Sequence, residues 1–245
     1  MTVTNSQSGT NVHEVASGIY RISTPVPPSV IPGGFTFNQY LVVDDAPLLF
    51  HTGPRSMFPW VREAVAHVLG DVSRLRYVGF SHIESDETGA LNDWLAAAPR
   101  AEPACGRTAA LVSVQDLADR APRALADGEE LVLGRHRVRW LDTPHLPHNW
   151  ECGYLFESST RTLLCGDLLT HGGSHLPAIT ESDLIGPAVA TWKAMPESVA
   201  VVGNTRQLLE KLAATEPTTL AVMHGSVFRG DGHGQLRNLA AALGV

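Results

Sequence analysis

The feature that most constrains the fold is the order of the predicted elements. Strands dominate the first part of each half of the chain, and helices follow them. The first half alternates like a strand in "FTFNQYLVV" and then has helical spacing in "SMFPWVREAVAHVLG". The second half predicts strand pairs in "EELVLGRHRVRWLDTP" and "GYLFESSTRTLLCGD", and it closes with the helical pattern "GQLRNLAAALGV". This order predicts an α/β (α+β) fold in which two mixed β-sheets pack face to face with helices outside them.

The organisation of the chain predicts one domain over residues 11–245, because no linker or low-complexity segment divides it. Residues 1–10 are polar and uncharged, and they are predicted to be disordered. They lack the basic and apolar regions of a signal peptide, and no apolar run approaches the roughly 20 residues that span a bilayer. The three cysteines are widely spaced and form no CxxC pair, which favours a reduced, cytoplasmic protein.

The charge balance excludes two classes of partner. The chain carries 18 Lys and Arg against 25 Asp and Glu, a formal net charge of −7. Proteins that bind nucleic acid or anionic membranes need basic patches, and lysine occurs only at Lys193 and Lys211. We therefore expect no nucleic-acid or membrane partner.

Side chains of the kind that bind metals recur at the ends of predicted strands. The first group is "SHIESDETG" at residues 81–89, which contains His82, Glu84, Asp86 and Glu87. Residues at i, i+2 and i+4 of an extended segment project to one side, so the first three can converge. The later groups are "TPHLPHNWE" (143–151), "LLCGDLLTHGG" (163–173) and "AVMHGS" (221–226). Loops at strand ends are where a rigid scaffold usually presents a functional site.

The pattern of these residues resembles the metallo-β-lactamase superfamily, whose signature is HxHxDH followed by a later His, an Asp and a final His. It is most similar to the branch of flavodiiron proteins and oxygen-binding di-iron proteins, in which Glu replaces the second His to give HxExDH. Here residues 82–87 read HIESDE, and His148, Asp167 and His224 follow in the family's order. The resemblance spans roughly residues 17–230 and implies an αββα sandwich.

The resemblance also implies two metal ions about 3.5 Å apart. The ligands implied for the first ion are His82, Glu84 and His148. The ligands implied for the second ion are Asp86, Glu87 and His224. Asp167 would bridge both ions. Asp167 and Asp86 are also the candidate catalytic residues, since either could position a metal-bridged hydroxide in a hydrolase.

One departure from the family pattern lies at Glu87, where the family has His. If Glu87 binds, three histidines and four carboxylates suit iron, or manganese, better than zinc. The four negative charges would then balance two divalent ions. If Glu87 faces solvent instead, the second ion is under-coordinated and could be weakly bound or absent.

Several other histidines compete for roles at this site. Either His145 or His148 could be the ligand after the "TP" dipeptide, and the "NWE" that follows His148 favours it by its resemblance to flavodiiron proteins. His145 would then orient a ligand or a proton path, and His171 could line the pocket. The remaining histidines, including His51, are interpreted as structural or surface residues.

The resemblance implies a non-haem di-iron protein that binds or reduces a small oxidant such as O₂ or NO. Flavodiiron proteins receive electrons from a fused flavodoxin domain, and the 245 residues leave no room for one. A separate electron-donor protein is therefore expected. Members of the family often dimerise, so a homodimer is also expected. The first alternative is a dinuclear metal-dependent hydrolase of an ester, thioester, lactone or phosphoester. The second is a mono-metal or degenerate binding module. Zinc or manganese could replace iron as the bound metal.

Overall fold

The polypeptide folds around two β-sheets in a computed structural model that describes residues 1–245. The first sheet has eight strands in chain order, antiparallel from the first to the fifth and parallel from the fifth to the eighth. Its strands are β1 (Thr2–Val3), β2 (Asn11–Ala16), β3 (Ile19–Val26), β4 (Phe35–Val42), β5 (Leu48–Phe50), β6 (Tyr77–Gly79), β7 (Glu102–Gly106) and β8 (Arg123–Leu125).

The second sheet has seven strands and is also mixed. Its strands are β9 (Glu130–Val132), β10 (Arg137–Asp142), β11 (Gly153–Glu157), β12 (Thr162–Leu164), β13 (Ile179–Thr180), β14 (Thr219–Ala221) and β15 (Val227–Arg229). They lie in the order β13-β15-β14-β12-β11-β10-β9. The β12–β14 and β13–β15 pairs are parallel, and the other pairs are antiparallel.

Helices cover the outer faces of both sheets. They are α1 (Phe58–Leu69), α2 (Ser85–Thr88), α3 (Leu91–Ala97), α4 (Arg107–Ala109), α5 (Gln115–Leu117), α6 (Ile185–Ala194), α7 (Thr205–Ala213) and α8 (Gly232–Leu243). A π-helical segment, Ala110–Val114, joins α4 to α5, and short 3₁₀ turns lie at Arg55–Met57, Val72–Arg74 and Pro196–Ser198. None of these helices combines the length and the apolar character needed to cross a bilayer.

Three apolar clusters show how the layers pack. Within β4, Leu41 packs in the cluster shared with α1 and α3, whereas Tyr40 and Val42 pack in the cluster between the two sheets. Within β11, Phe156 faces the cluster shared with α6, α7 and α8, and Leu155 faces the other sheet. This alternation follows the two-residue period of a strand. The predicted sandwich of two mixed sheets flanked by helices is thereby confirmed.

Residues 1–10 differ from the prediction of a disordered segment. Strand β1 pairs with β2 in register Thr2↔Val12. The side-chain oxygen Oδ1 of Asn5 accepts the N–H groups of two following residues, including Ser8 at 2.9 Å. Thr10 is buried, and its hydroxyl lies 2.9 Å from that of Thr24. The polar side chains that predicted disorder instead form a local turn, in the manner typical of asparagine and serine.

Glu157 stabilises the turn between β11 and β12, away from the metal-binding type residues at the strand ends. Its carboxylate accepts hydrogen bonds from Ser159 and Thr160 and lies 3.0 Å from Nδ1 of His136. Burial opposes its charge, but the Ser159 and Thr160 hydrogen bonds dominate, with a smaller contribution from His136, and lower its pKa to about 2.

We expect Glu157→Gln to lower the free energy of unfolding at pH 7 by about 1–3 kcal/mol, since it weakens hydrogen bonds to a charged group. A depressed pKa stabilises the fold above the unfolded value of 4.5, and this contribution is lost as the pH falls through 2. Urea unfolding of both proteins between pH 7 and pH 2 should show the difference shrinking. A difference that stays constant over this range would contradict the assignment.

Candidate metal centre

The strand-end segments identified in the sequence meet at one place in the structure. The loop after β6 carries His82 and Glu84, and α2 directly follows with Asp86 and Glu87. The segment between β10 and β11 contributes one further side chain, and the turns after β12 and β14 contribute one each. These three are His148, Asp167 and His224. Both sheets therefore supply residues, which explains why residues up to 142 positions apart come together.

A first group of possible ligands consists of His82, Glu84, His148 and Asp167, whose ligand atoms lie within 4.8 Å of one another. Nε2 of His148 lies 3.2 Å from Oε1 of Glu84 and 3.5 Å from Oδ2 of Asp167. Nε2 of His82 lies 3.0 Å from Nε2 of His148 and 3.7 Å from Oδ2 of Asp167. The four side chains thus surround one point.

A second group consists of Asp86, Glu87 and His224, with the same 4.8 Å limit between ligand atoms. Nε2 of His224 lies 3.2 Å from Oδ2 of Asp86 and 3.1 Å from Oδ1 of Asp167. The two oxygens of Asp167 therefore face different groups, Oδ2 towards the first and Oδ1 towards the second. This is the geometry that a bridging carboxylate requires.

The spacing of the donor atoms fits metal ions. Ligands about 2.0–2.2 Å from one ion lie about 2.8–3.6 Å from each other at octahedral and tetrahedral angles. Four of the six His–carboxylate distances in the two groups, 3.1–3.5 Å, lie in this range, and the two from His82, 3.7 Å and 3.8 Å, lie just above it. No lysine or arginine forms an ion pair with any of the seven residues. The concentrated negative charge therefore has only histidines as partners within the protein.

The orientation of two imidazoles also fits a metal. Nδ1 of His148 lies 2.9 Å from the carbonyl oxygen of Ser198, and Nδ1 of His224 lies 2.8 Å from that of Thr36. A carbonyl only accepts, so each Nδ1 carries the hydrogen and donates it. In its neutral form, each ring then presents the lone pair of Nε2 to the cluster, as metal-binding histidines do.

Glu87 points inward, which settles the question of whether it faces solvent. Its side chain is fully buried, and neither carboxylate oxygen accepts a hydrogen bond. Burial raises its pKa well above the usual range, and the negative charge of Asp167 adds to this effect. A buried carboxylate without a donor is costly, and a cation is the partner that would offset the cost.

Contacts between histidines and carboxylates shift the pKa values of Glu84 and His224. Hydrogen bonds from His148 and His82 lower the pKa of Glu84 to about 2. Burial disfavours a charged His224, but the carboxylates of Asp167 and Asp86 outweigh it and raise its pKa to about 10. These shifts stabilise charged carboxylates, the form in which they bind metals.

The two candidate supporting histidines lie in different surroundings. His145 is exposed, with a φ of 66°, and belongs to neither group of ligand atoms, so the structure gives it no contact with the site. His171 is buried, and its Nδ1 donates to the carbonyl of Leu169 while its Nε2 accepts the N–H of Ser226. Both of its nitrogens are engaged, so it supports the turn that carries His224.

Gly225 follows His224 and packs directly on the His171 ring. Its φ is 106°, and a Cβ atom there would overlap the His171 ring. We expect Gly225→Ala to cost about 1–3 kcal/mol in unfolding free energy and to weaken metal binding at the second group, because backbone strain and overlap displace His224. Gly186→Ala, in α6 with open space around it, is the matched control and should neither lower the unfolding free energy nor weaken metal binding. Equal behaviour of the two variants in thermal unfolding and metal titration would contradict this account.

Sequence reasoning missed three residues that support the site. The hydroxyl of Ser81 lies between the rings of His51 and His82, and Glu151 accepts the N–H of Ile83 at 3.0 Å. His51 lies directly after β5, at a strand end like the predicted metal-binding residues. This position in the sequence could have identified His51 as a residue of the site. Glu151 is the last residue of the "NWE" that favoured His148, but that pattern did not indicate its contact with Ile83.

Apolar side chains cover one side of His224. The ring centroid of Phe35 lies 4.3 Å from that of His224, and that of Phe37 lies 5.2 Å away in an edge-on arrangement. Both phenylalanines are half-buried. They limit the access of water to the second group.

Comparison with known proteins identifies a family and a fold. The family model described as "ODP family beta lactamase" matches residues 35–225. None of the curated proteins matches the chain. The rubredoxin oxygen:oxidoreductase from Desulfovibrio gigas superposes with a TM-score of 0.80 at 18% identity, over 95% of this chain and 62% of that chain.

Two further solved structures have the same fold. A single-residue variant of the flavo di-iron protein from Thermotoga maritima gives a TM-score of 0.81 at 17% identity, over 95% of this chain and 62% of that one. A fragment of a diflavin flavoprotein from Nostoc sp. gives 0.80 at 17% identity, over 95% and 94%. At such identities the likeness establishes the fold. The chain spans about 62% of the length of the first two proteins.

Proposed function

We propose, from the premise that the chain belongs to the ODP beta lactamase family, that it is a non-haem di-iron protein that binds or reduces O₂ or NO. A separate electron-donor protein would supply the electrons. The observation that carries the proposal is the cluster of three histidines and four carboxylates, in which Glu84 occupies the position that is histidine in the general superfamily signature.

The proposed ligands divide as the two groups do. His82, Glu84 and His148 would hold one iron. Asp86, Glu87 and His224 would hold the other. Asp167 would bridge them, since its two oxygens face different groups. Four carboxylates balance two divalent ions, and this many oxygen donors favours iron or manganese over zinc.

Iron, when bound, would supply the one-electron redox chemistry that binding or reducing a diatomic oxidant requires. The protein's own contribution is to hold the ligands and to control access. The carbonyls of Ser198 and Thr36 fix two imidazoles, and Phe35 and Phe37 keep water from His224. Glu84 is the most exposed of the seven side chains, at 43%, and therefore lies where a small molecule enters from solvent.

The names of similar structures support the choice of oxidant. One of them is a rubredoxin oxygen:oxidoreductase, and another is a flavo di-iron protein. Both share this chain's fold at 17–18% identity, so oxygen as a substrate and a small redox protein as a donor are part of the proposal.

The proposal is tested by loading the protein anaerobically with Fe²⁺ and mixing the reduced protein with O₂ or NO. We expect a ferric absorption band to form on mixing with O₂, to bleach with a chemical reductant and to return with more O₂. Glu84→Ala, which removes a proposed ligand, should abolish the cycle. Asp127→Ala, a carboxylate paired with Lys211 elsewhere on the protein, should leave it intact.

A hydrolase would behave differently in the same experiments. Zinc would be bound in preference to iron, and thioesters or lactones would be turned over in a manner lost on Asp167→Ala or Asp86→Ala. Such a result, together with no response of the iron-loaded protein to O₂ or NO, would overturn the proposal.

A further inference from the structure

Ser81 links two buried histidines in a chain of hydrogen bonds. Its hydroxyl oxygen lies 2.9 Å from Nδ1 of His82 and 3.0 Å from Nε2 of His51. All three residues are at most 1% exposed. His51 contacts none of the seven proposed ligands through a hydrogen bond, so the function proposed above does not yet use it.

His51 is held in an uncommon conformation. It follows β5 with a φ of 68°, in the left-handed region, where histidine is more frequent than most side chains. Its ring packs on Phe50 with centroids 4.3 Å apart, and its Nδ1 has no hydrogen-bond partner. Burial lowers the pKa of His51 to about 3, so the ring is neutral near pH 7, with one nitrogen as donor and the other as acceptor.

The support of His82 differs from that of the other two histidines of the cluster. Nδ1 of His148 and of His224 faces a carbonyl oxygen, which only accepts, so each hydrogen position is fixed. Nδ1 of His82 faces a hydroxyl, which can donate or accept. Ser81 alone therefore leaves the hydrogen position of His82 undetermined, and the group on its far side decides it.

Only one direction of the chain leaves His82 able to bind a metal through Nε2. In that direction Nδ1 of His82 donates to Ser81, and Ser81 donates to Nε2 of His51. The opposite direction puts the hydrogen of His82 on Nε2, the atom that faces His148 and Asp167. A hydrogen there blocks the lone pair that the metal needs.

We propose that His51 is a positioning residue for the metal centre: it accepts the hydrogen bond of Ser81 through Nε2 and thereby fixes the hydrogen of His82 on Nδ1. The proposal rests on the metal site proposed above. In this arrangement the His51 ring is not itself a metal ligand. Its hydrogen lies on Nδ1, on the side of the ring that packs near Phe50.

The state of His51 can be observed directly. Nitrogen-15 NMR of the protein loaded with Zn²⁺, a diamagnetic probe, distinguishes a protonated from a bare ring nitrogen, and His51→Asn identifies the His51 signals. We expect a hydrogen on Nδ1 of His51 and a bare Nε2. A hydrogen on Nε2 of His51 in the zinc-loaded protein would overturn the inference, whatever the stability of the variants.

Metal titration gives a second, independent readout. Competition with a chelator should show Zn²⁺ binding at one of two sites weakened about 10–100-fold by Ser81→Ala and by His51→Asn, the usual effect of removing a ligand's outer hydrogen bond. Ser81→Thr keeps the hydroxyl and should restore the affinity. Ser23→Ala, a buried serine on β3 without a side-chain hydrogen bond, is the matched control and should change nothing.

The outcomes separate this inference from the function on which it rests. Failure of the wild-type protein to bind two metal ions would count against the proposed metal centre itself. Two tightly bound ions with unchanged affinity in Ser81→Ala and His51→Asn would leave the metal centre standing and overturn the role of His51.

Discussion

Replacing Asp167 by alanine is expected to abolish stoichiometric iron binding at both sites rather than at one. The two oxygens of Asp167 face different groups, with Oδ2 3.5 Å from Nε2 of His148 and Oδ1 3.1 Å from Nε2 of His224. Its removal takes a ligand from each ion and leaves two like-charged cations without the anion between them. Iron content per chain, measured after anaerobic loading and removal of free metal, checks the prediction.

Two controls make the Asp167 result specific. Asp127→Ala removes a carboxylate from an exposed ion pair with Lys211 and should retain both ions. Glu84→Ala removes a ligand from the first group alone and should retain one ion. The bridging role would be excluded if Asp167→Ala bound as much iron as the wild-type protein, or if it lost one ion only.

Replacing Glu87 by glutamine is expected to have opposite effects on the metal-free and the metal-loaded protein. Without metal, folding at pH 7 requires Glu87 either to take up a proton or to bury its charge, and a neutral amide removes this cost, so the free energy of unfolding should rise by about 1–3 kcal/mol. With metal, the same change removes an anionic ligand and should lower the occupancy of the second ion. Urea unfolding and metal content measure the two effects separately.

The pH dependence of this difference has a definite sign. Burial and the charge of Asp167 raise the pKa of Glu87 in the folded protein above the 4.5 of an ordinary glutamate. The folded state therefore holds a proton that the unfolded state loses as the pH rises above 4.5, and metal-free wild-type protein loses stability over that range. The advantage of Glu87→Gln should accordingly grow with pH.

Glu84→Gln serves as the matched control for Glu87. The hydrogen bond from His148 lowers the pKa of Glu84 to about 2, so its charge stabilises the fold above the ordinary value of 4.5. This variant should therefore lose stability relative to the wild-type protein at neutral pH. Equal responses of the two glutamine variants, or a Glu87→Gln advantage that shrinks with rising pH, would contradict the assignment.

The sequence predicted which side chains meet at the candidate site, because these residues follow strands and match the spacing of a known family. His82, Glu84 and Asp86 alternate in a short loop, and the later histidine and aspartate each follow an apolar strand. The choice between His145 and His148 depended on the path of the loop, which turns through a φ of 66° at His145 and exposes it. The burial of Glu87 depended on α2 packing against the rest of the site.

Other features depended on contacts that no local pattern records. The short strands β8 and β15 have only three residues each, too few for a recognisable period, and they form because a neighbouring strand is present. The polar residues 1–10 pair with β2 for the same reason. The role of His51 arises from its contact with Ser81, 30 residues away in sequence, so the ring alone could be interpreted only as structural.

The most direct measurement of the central claim is a crystal structure of the iron-loaded protein with anomalous diffraction at the iron edge. We predict two anomalous peaks about 3.5 Å apart. One should lie against His82, Glu84 and His148, and the other against Asp86, Glu87 and His224, with Asp167 between them. A single peak, no peak at this cluster, or a zinc signal in its place after growth with iron would contradict a di-iron centre.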